Sequence, residues 1–330
     1  MTDSPTAASP DEPIAPVVPI SQATDLAETP LAIDLGADWH VHTDLGRGSA
    51  TAIAVVDAAQ AAGLHTVGLC DAVGADVSWL PDYVELARVF QREGLRVVCG
   101  VETAVVDLAG ALDLPAEVPD LDHVVLTALD LPGTGGPVPA AQVRAALERG
   151  EVAPERVVDD LVAALVAAVG AAPVTPVLGR PFTLLTELGL DDDLVTDDHV
   201  AALAAALAAR GGAVEVDEAW RAPSARVAAA FAAAGTPLRA ASDATTPREV
   251  GAWRYLAGLA GADAVTRTAP DAGADVGSET TVVADTDVVT DTDVVGDTIV
   301  VADTDTVTGT DTGTGTGTDT GTDTALVSAS

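Results

Sequence analysis

Residues 38–43 read Asp38-Trp39-His40-Val41-His42-Thr43. In an extended strand successive side chains point to opposite faces. The alternation predicts Asp38, His40 and His42 on one face, with Trp39 and Val41 on the other, packed outward against helices. A single histidine on an apolar face is usually a satisfied core residue. Two at strand spacing, at the end of a first strand, point instead to metal ligation by imidazole.

Working outward from this run, apolar stretches suited to buried strands fall at Asp38–Thr43, His65–Asp71, Arg96–Glu102, His123–Leu129, Val174–Arg180, Ala213–Asp217 and Pro237–Ser242. Ala-rich helical stretches fit between and after them, near 51–62, 81–93, 154–170, 197–210, 223–234 and 247–258. Strands that alternate with helices imply a parallel sheet joined by right-handed crossovers, either closed or open. A closed barrel gathers its polar residues at the C-terminal ends of many strands at once. The chain follows that rule: Asp71 ends VGLCD, Glu102 ends VVCGVE and Asp243 follows LRAAS. The expected fold is therefore α/β, a (β/α)7 TIM-like barrel. An acid beside a buried apolar run is costly unless a cation or a hydrogen-bond donor receives it. With the histidine pair, these acids make up a nitrogen and oxygen donor set suited to a divalent ion.

Over about 220 residues, the order of motifs resembles the polymerase and histidinol phosphatase (PHP) family. DWHVHT is similar to its opening His-x-His strand, GLHTVGLCDA to its second strand, CGVE to its third and VVLTALD to its fourth. TPVLGRP is similar to its Ala-His-Pro strand, VEVDEAW to its sixth and AASDAT to its closing Ser-Asp-Ala-His. The resemblance implies a distorted seven-stranded barrel, up to three metals, and hydrolysis of phosphoesters or phosphodiesters. The chain also departs from the family. Ala72, Leu129, Arg180 and Thr245 stand where the family has histidine, and DLGRGSAT lacks the histidine expected shortly after the first motif. By the resemblance, His40, His42, Glu102 and Asp243 form the complete ligand set of one family metal site, which implies one divalent ion (Zn, Mn or Fe) in place of three. Asp71 is the catalytic candidate, orienting a ligand or acting as general base. Arg180 is the substrate-binding candidate, since a guanidinium grips phosphate oxygens bidentately. Its other expected role is to neutralise Asp71, Asp130 or Glu215. Glu215, Asp217 and Glu218 are candidates to line the pocket.

Composition narrows the function further. The 51 acidic residues face 15 basic ones, all arginine, for a net charge of −36. Duplex nucleic acid is repelled by such a surface. The absence of lysine excludes Schiff-base chemistry and a carboxylated lysine bridging two metals. Cys70 and Cys99 lie in apolar runs as small buried hydrophobes, with no disulfide framework. No apolar run is long enough to span a membrane, and MTDSPTAASPDEP is not a secretory leader, so a cytoplasmic location is expected. No dinucleotide or Walker loop and no nucleophile elbow is present; LPGTGGP reads as a Pro-bounded loop. His65, His123 and His199 are expected to be structural or exposed, with Thr196 or Asp197 capping the helix at His199.

Residues 1–36 read as a disordered leader, 37–260 as the barrel, and 261–330 as an acidic Asp/Thr/Val/Gly low-complexity tail, also disordered and of unknown partner. The expected function is that of a PHP-type hydrolase acting on a small phosphorylated substrate, a phosphomonoester metabolite or short nucleotide. The alternative is a catalytically inactive PHP-like binding or scaffold protein.

Overall fold

Seven parallel strands, β1 (Ala37–Val41), β2 (Thr66–Ala72), β3 (Arg96–Ala104), β4 (His123–Thr127), β7 (Pro176–Leu178), β8 (Ala213–Asp217) and β9 (Leu238–Ala241), hydrogen-bond in chain order. These are the strands expected from the apolar runs. The structure is a computed structural model and describes residues 29–262. The expectations for residues 1–28 and 263–330 lie outside the described residues. The sheet closes on itself just past β9. His42 N–H donates to Ala244 O (2.9 Å) and Asp243 N–H donates to His40 O (3.0 Å), a parallel bridge that joins the last strand to the first.

Between the strands run α1 (Ala52–Ala61), α2 (Leu80–Val89), α3 (Ala140–Glu148), α4 (Pro154–Ala171), α5 (Thr183–Leu188), α6 (Asp197–Arg210) and α7 (Ala225–Ala233), and α8 (Tyr255–Leu259) follows β9. Helix α4 starts on Pro154, whose missing N–H would have no helical partner at that position. It buries Val157, Val158, Leu161, Val162, Leu165 and Val169, one apolar stripe at helical spacing laid on the barrel. Each such side chain, fully buried, contributes roughly 1.5–3 kcal/mol. At α6 the Thr196 side chain accepts from His199 N–H, while His199 Nδ1 accepts from Thr196 N–H, a reciprocal cap. Cys70, Val125, Val177 and Ala213 form a cluster of small buried residues inside the barrel.

Several expectations are revised. The strict alternation read from residues 38–43 fails at a register shift in β1, where Asp38 pairs with Val67 and Val41 with Leu69. Trp39 and His40 therefore stand opposite Gly68 alone, as in a β-bulge. Trp39 does not pack outward on helices. It meets His123 of the non-adjacent β4 at 6.1 Å, and Arg239 lies 4.1 Å over its ring, contacts that cross the barrel interior. Asp38 turns away from the two histidines and accepts from Ser242 N–H (3.0 Å) and Gly251 N–H (2.9 Å).

The last helix is also shorter than the expected 247–258, because Gly251 takes a left-handed conformation (φ 63°) that interrupts it. LPGTGGP is not an open loop: Leu131–Gly133 (β5) and Gly136–Val138 (β6) pair as an antiparallel hairpin. Helices α3 and α5 were not expected. Leu31 and Ile33, which precede the boundary expected at residue 37, pack on the barrel: Leu31 N–H donates to Leu259 O, and Ile33 is buried with Val216, Ala228 and Trp253. Among the described residues no helix is long and apolar enough to cross a membrane.

Candidate metal centre

The bulge and the barrel closure bring together four side chains that lie far apart in sequence. His40 lies in β1 and His42 just past it, Glu102 lies near the C-terminal end of β3, and Asp243 follows β9. All four are buried, and each offers a donor atom within 4.8 Å of the others. His42 Nε2 lies 2.9 Å from Asp243 Oδ1 and 3.9 Å from Glu102 Oε2. His40 Nε2 lies 3.7 Å from Glu102 Oε2 and 3.8 Å from Asp243 Oδ1. The Asp243 backbone is left-handed (φ 53°), an uncommon state for a residue with a side chain. It is held there by the bond from Asp243 N–H to His40 O.

Outer groups fix these donors. Glu215 Oε2 lies 3.0 Å from His40 Nδ1, which turns Nε2 toward the carboxylates. Asp71 accepts from Thr43 N–H (2.7 Å) and Thr43 Oγ1 (2.5 Å) and stands 3.6 Å from His42 Nδ1. Asp71 N–H in turn donates to Tyr83 Oη at 3.2 Å. His40 Nε2 is a buried nitrogen without a hydrogen-bond partner, aimed at two carboxylates beyond hydrogen-bonding reach. A divalent cation would satisfy that nitrogen and both acids together. Two imidazoles and two carboxylates, with one imidazole braced from behind by an acid, fit such an ion.

Two guanidinium groups approach the same carboxylates. Arg180, 4% exposed, pairs with Glu102 Oε1 and, at 3.2 Å, with Asp243 Oδ2, in place of the Asp71, Asp130 or Glu215 expected from sequence. Its guanidinium also lies 4.9 Å from the centre of the Trp220 ring. Arg47 Nε donates to His42 Nε2 (2.9 Å), and Arg47 Nη2 pairs with Asp243 Oδ1 and stands 3.8 Å from Glu102 Oε2. Burial would push the Glu102 carboxyl up, but His40, Arg180 and Arg47 hold it down at about 2. Asp243 is likewise held well below the usual carboxylate range against its burial, by His42, His40 and the two arginines. By contrast, burial lifts Asp217 to about 8, with Asp243 adding to the rise.

Of the candidates read from the sequence, Asp130 alone lies away from the site, while Glu218 stands on the cleft beside Asp243. Asp130 accepts from Ala140 N–H at the start of α3 (3.1 Å), and Glu218 accepts from Tyr255 and Leu256 N–H at the start of α8. Arg47 and Trp220 were missed. The signal for Arg47 was its place between Gly46 and Gly48, directly after the histidine motif. Trp220 donates from Nε1 to Asp243 Oδ2 (2.6 Å). Together with Glu218, Ser242, Asp243, Thr245 and Glu249 it lines an open cleft of about 540 Å³.

The other histidines lie outside the cluster. His65 pairs with Asp34 and His199 with Asp159, whereas His123 sits in the barrel with its pKa pushed down to about 3 by burial and by Arg239.

No family model and no curated protein matches the chain. One solved structure that aligns with it is the histidinol phosphate phosphatase of Lactococcus lactis subsp. lactis complexed with zinc, L-histidinol and phosphate. The identity is 12% and the TM-score 0.47, covering 68% of this chain and 92% of that one. Another is a Listeria monocytogenes protein assigned as a histidinol phosphatase, at 14% identity and TM-score 0.44, covering 65% of this chain and 97% of that one.

Proposed function

We propose that the chain is a metal-dependent hydrolase of the PHP type that acts on a small phosphoester, a phosphomonoester metabolite or short nucleotide. One divalent ion, zinc, manganese or iron, is held by His40, His42, Glu102 and Asp243. The observation that carries this reading is the convergence of those four donors within 4.8 Å at the C-terminal mouth of the barrel. Such an ion supplies Lewis acidity toward water and toward a phosphoryl oxygen.

The chain's own residues supply the rest. Glu215 orients His40. Asp71 anchors Thr43 and the end of β1 and faces His42, and its burial with both oxygens on Thr43 supports a positioning role over that of a general base. Arg180 places a fixed positive charge beside Glu102 and Asp243, toward which a phosphoryl group is drawn. Trp220 walls the cleft, whose volume of about 540 Å³ suits a small molecule. The buried, unpaired thiols of Cys70 and Cys99 agree with a reduced, cytoplasmic setting.

A second reading is favoured by the arginines. Arg47 and Arg180 already compensate Glu102 and Asp243, as expected of a barrel that binds a ligand without catalysis. The test is to strip the purified chain of metal, reload it separately with zinc, manganese or ferrous iron, and offer an aryl phosphomonoester and an aryl phosphodiester. The hydrolase reading expects turnover with at least one ion and none in the stripped protein. A loaded protein inert toward both esters with every ion would favour the binding reading.

A further inference from the structure

We infer that Arg47 is a displaceable guanidinium that holds the donor set together and must leave it before a divalent ion can bind, so the chain carries its own competitor for the metal. The inference rests on the hydrolase reading's ligand set, and concerns how that set is entered.

The two arginines divide the carboxylate oxygens between them. Arg180 takes the outer pair, Glu102 Oε1 and Asp243 Oδ2, and its side chain is almost wholly buried against the Trp220 ring. Arg47 takes the inner atoms: it contacts His42 Nε2 and Asp243 Oδ1 and lies 3.8 Å from Glu102 Oε2. Those inner atoms, with His40 Nε2, are the ones that converge. A guanidinium hydrogen-bonded to them and a dication bonded to them exclude one another, by volume and by like charge.

The route by which Arg47 enters also allows it to leave. Its side chain is 39% exposed, against 3% for Arg180. The backbone beneath it is tied down by Asp44 N–H to Ala50 O (2.9 Å), Gly48 N–H to Thr43 O (2.9 Å) and Ser49 N–H to Thr245 O (2.8 Å). Gly46 and Gly48 let the loop press this close, since a Cβ would fall 2.5 Å from Asp71 Oδ1 at the first and 2.5 Å from His42 O at the second. Only the long, flexible side chain need swing outward, and the loop can stay in place.

Arg47 thus acts as a positioning residue that keeps two buried acids and an imidazole in register without an ion, at the cost of weaker ion binding. If it occupies the donor set nine times in ten, the apparent dissociation constant of the ion rises about tenfold.

The test uses the full chain, stripped of metal and titrated with zinc against a chromophoric chelator, as wild type, Arg47→Gln, Arg47→Ala and His42→Ala. Circular dichroism checks folding, and the two Arg47 variants cover for one another if either is impaired. The expected result is zinc binding about tenfold tighter in both Arg47 variants than in wild type, together with a larger zinc-induced rise in melting temperature, and loss of tight binding in His42→Ala. Tighter binding seen in the variants alone would be the stronger form of the same result. Equal or weaker binding in the Arg47 variants, with wild type binding and His42→Ala not, would overturn the inference and leave the metal site standing. No binding in wild type or either Arg47 variant would overturn the site and the inference together.

Discussion

His40 Nδ1 lies 3.0 Å from Glu215 Oε2 in the barrel interior, with both side chains wholly buried. The contact fixes the ring so that Nε2, and not Nδ1, faces Glu102 and Asp243. A carboxylate behind a ligating imidazole sets its orientation and raises its basicity. Glu215→Ala is expected to weaken zinc binding by about 10–100-fold, and Glu215→Gln, which keeps an acceptor, by less. Chelator competition measures both, and unchanged affinity in Glu215→Ala would remove Glu215 from the site.

Arg180 compensates Glu102 and Asp243 from inside the protein, where leaving an acid unpaired is costly. In the metal-free protein Arg180→Gln is expected to lose about 3 kcal/mol or more of stability. Zinc should restore part of it, because a cation on the inner atoms relieves the same two carboxylates. Urea melts with and without zinc report both effects; a loss indifferent to zinc would mean that Arg180 serves packing alone.

His123 gives stability a pH dependence of its own. Burial first, then Arg239, lowers its pKa from about 6.5 to about 3, so it stays neutral in the fold. The unfolded chain binds a proton below pH 6.5 that the folded chain refuses. The contribution is therefore complete above pH 6.5 and is lost as pH falls from 6.5 toward 3. Relative to His123→Phe, the wild type should lose about 2 kcal/mol between pH 7 and pH 5. Parallel stability curves for the two proteins over that range would contradict the assignment.

The β1 bulge depends on Gly68, because a Cβ there would collide with the Trp39 carbonyl on the neighbouring strand. Gly68→Ala is expected to destabilise the fold by about 1–3 kcal/mol. It should also weaken zinc binding, since the bulge aims His40. Thermal melts and zinc titration of the variant check this, and a neutral substitution would mean that the strand pair can shift without cost.

The seven strands were legible because each is a short apolar run ending on a polar residue at the barrel mouth. Glu102 and Asp243 were legible for the same reason. Trp39 and Asp38 were misplaced because alternation assumes an unbroken register, and a single extra residue opposite Gly68 reverses the faces on one side of it. Arg47 was overlooked because a loop arginine is ordinarily solvated, and its flanking Gly46 and Gly48 were the one local sign against that. What brings it inward is the close approach permitted by Gly46 and Gly48, a tertiary property that periodicity does not carry. Arg180 was read at the right place with the wrong partners, since which of several nearby acids receives it is settled by barrel closure.

The central claim, that His40, His42, Glu102 and Asp243 hold one ion that serves phosphoester hydrolysis, is tested most directly by elemental analysis of the purified chain alongside its hydrolysis of an aryl phosphomonoester. Wild type and His42→Ala are compared. The account predicts close to one zinc, manganese or iron per wild-type chain, far less in His42→Ala, and activity that falls in proportion to the metal lost. Wild type that holds no metal after reloading, and hydrolyses no more ester than His42→Ala, would contradict it.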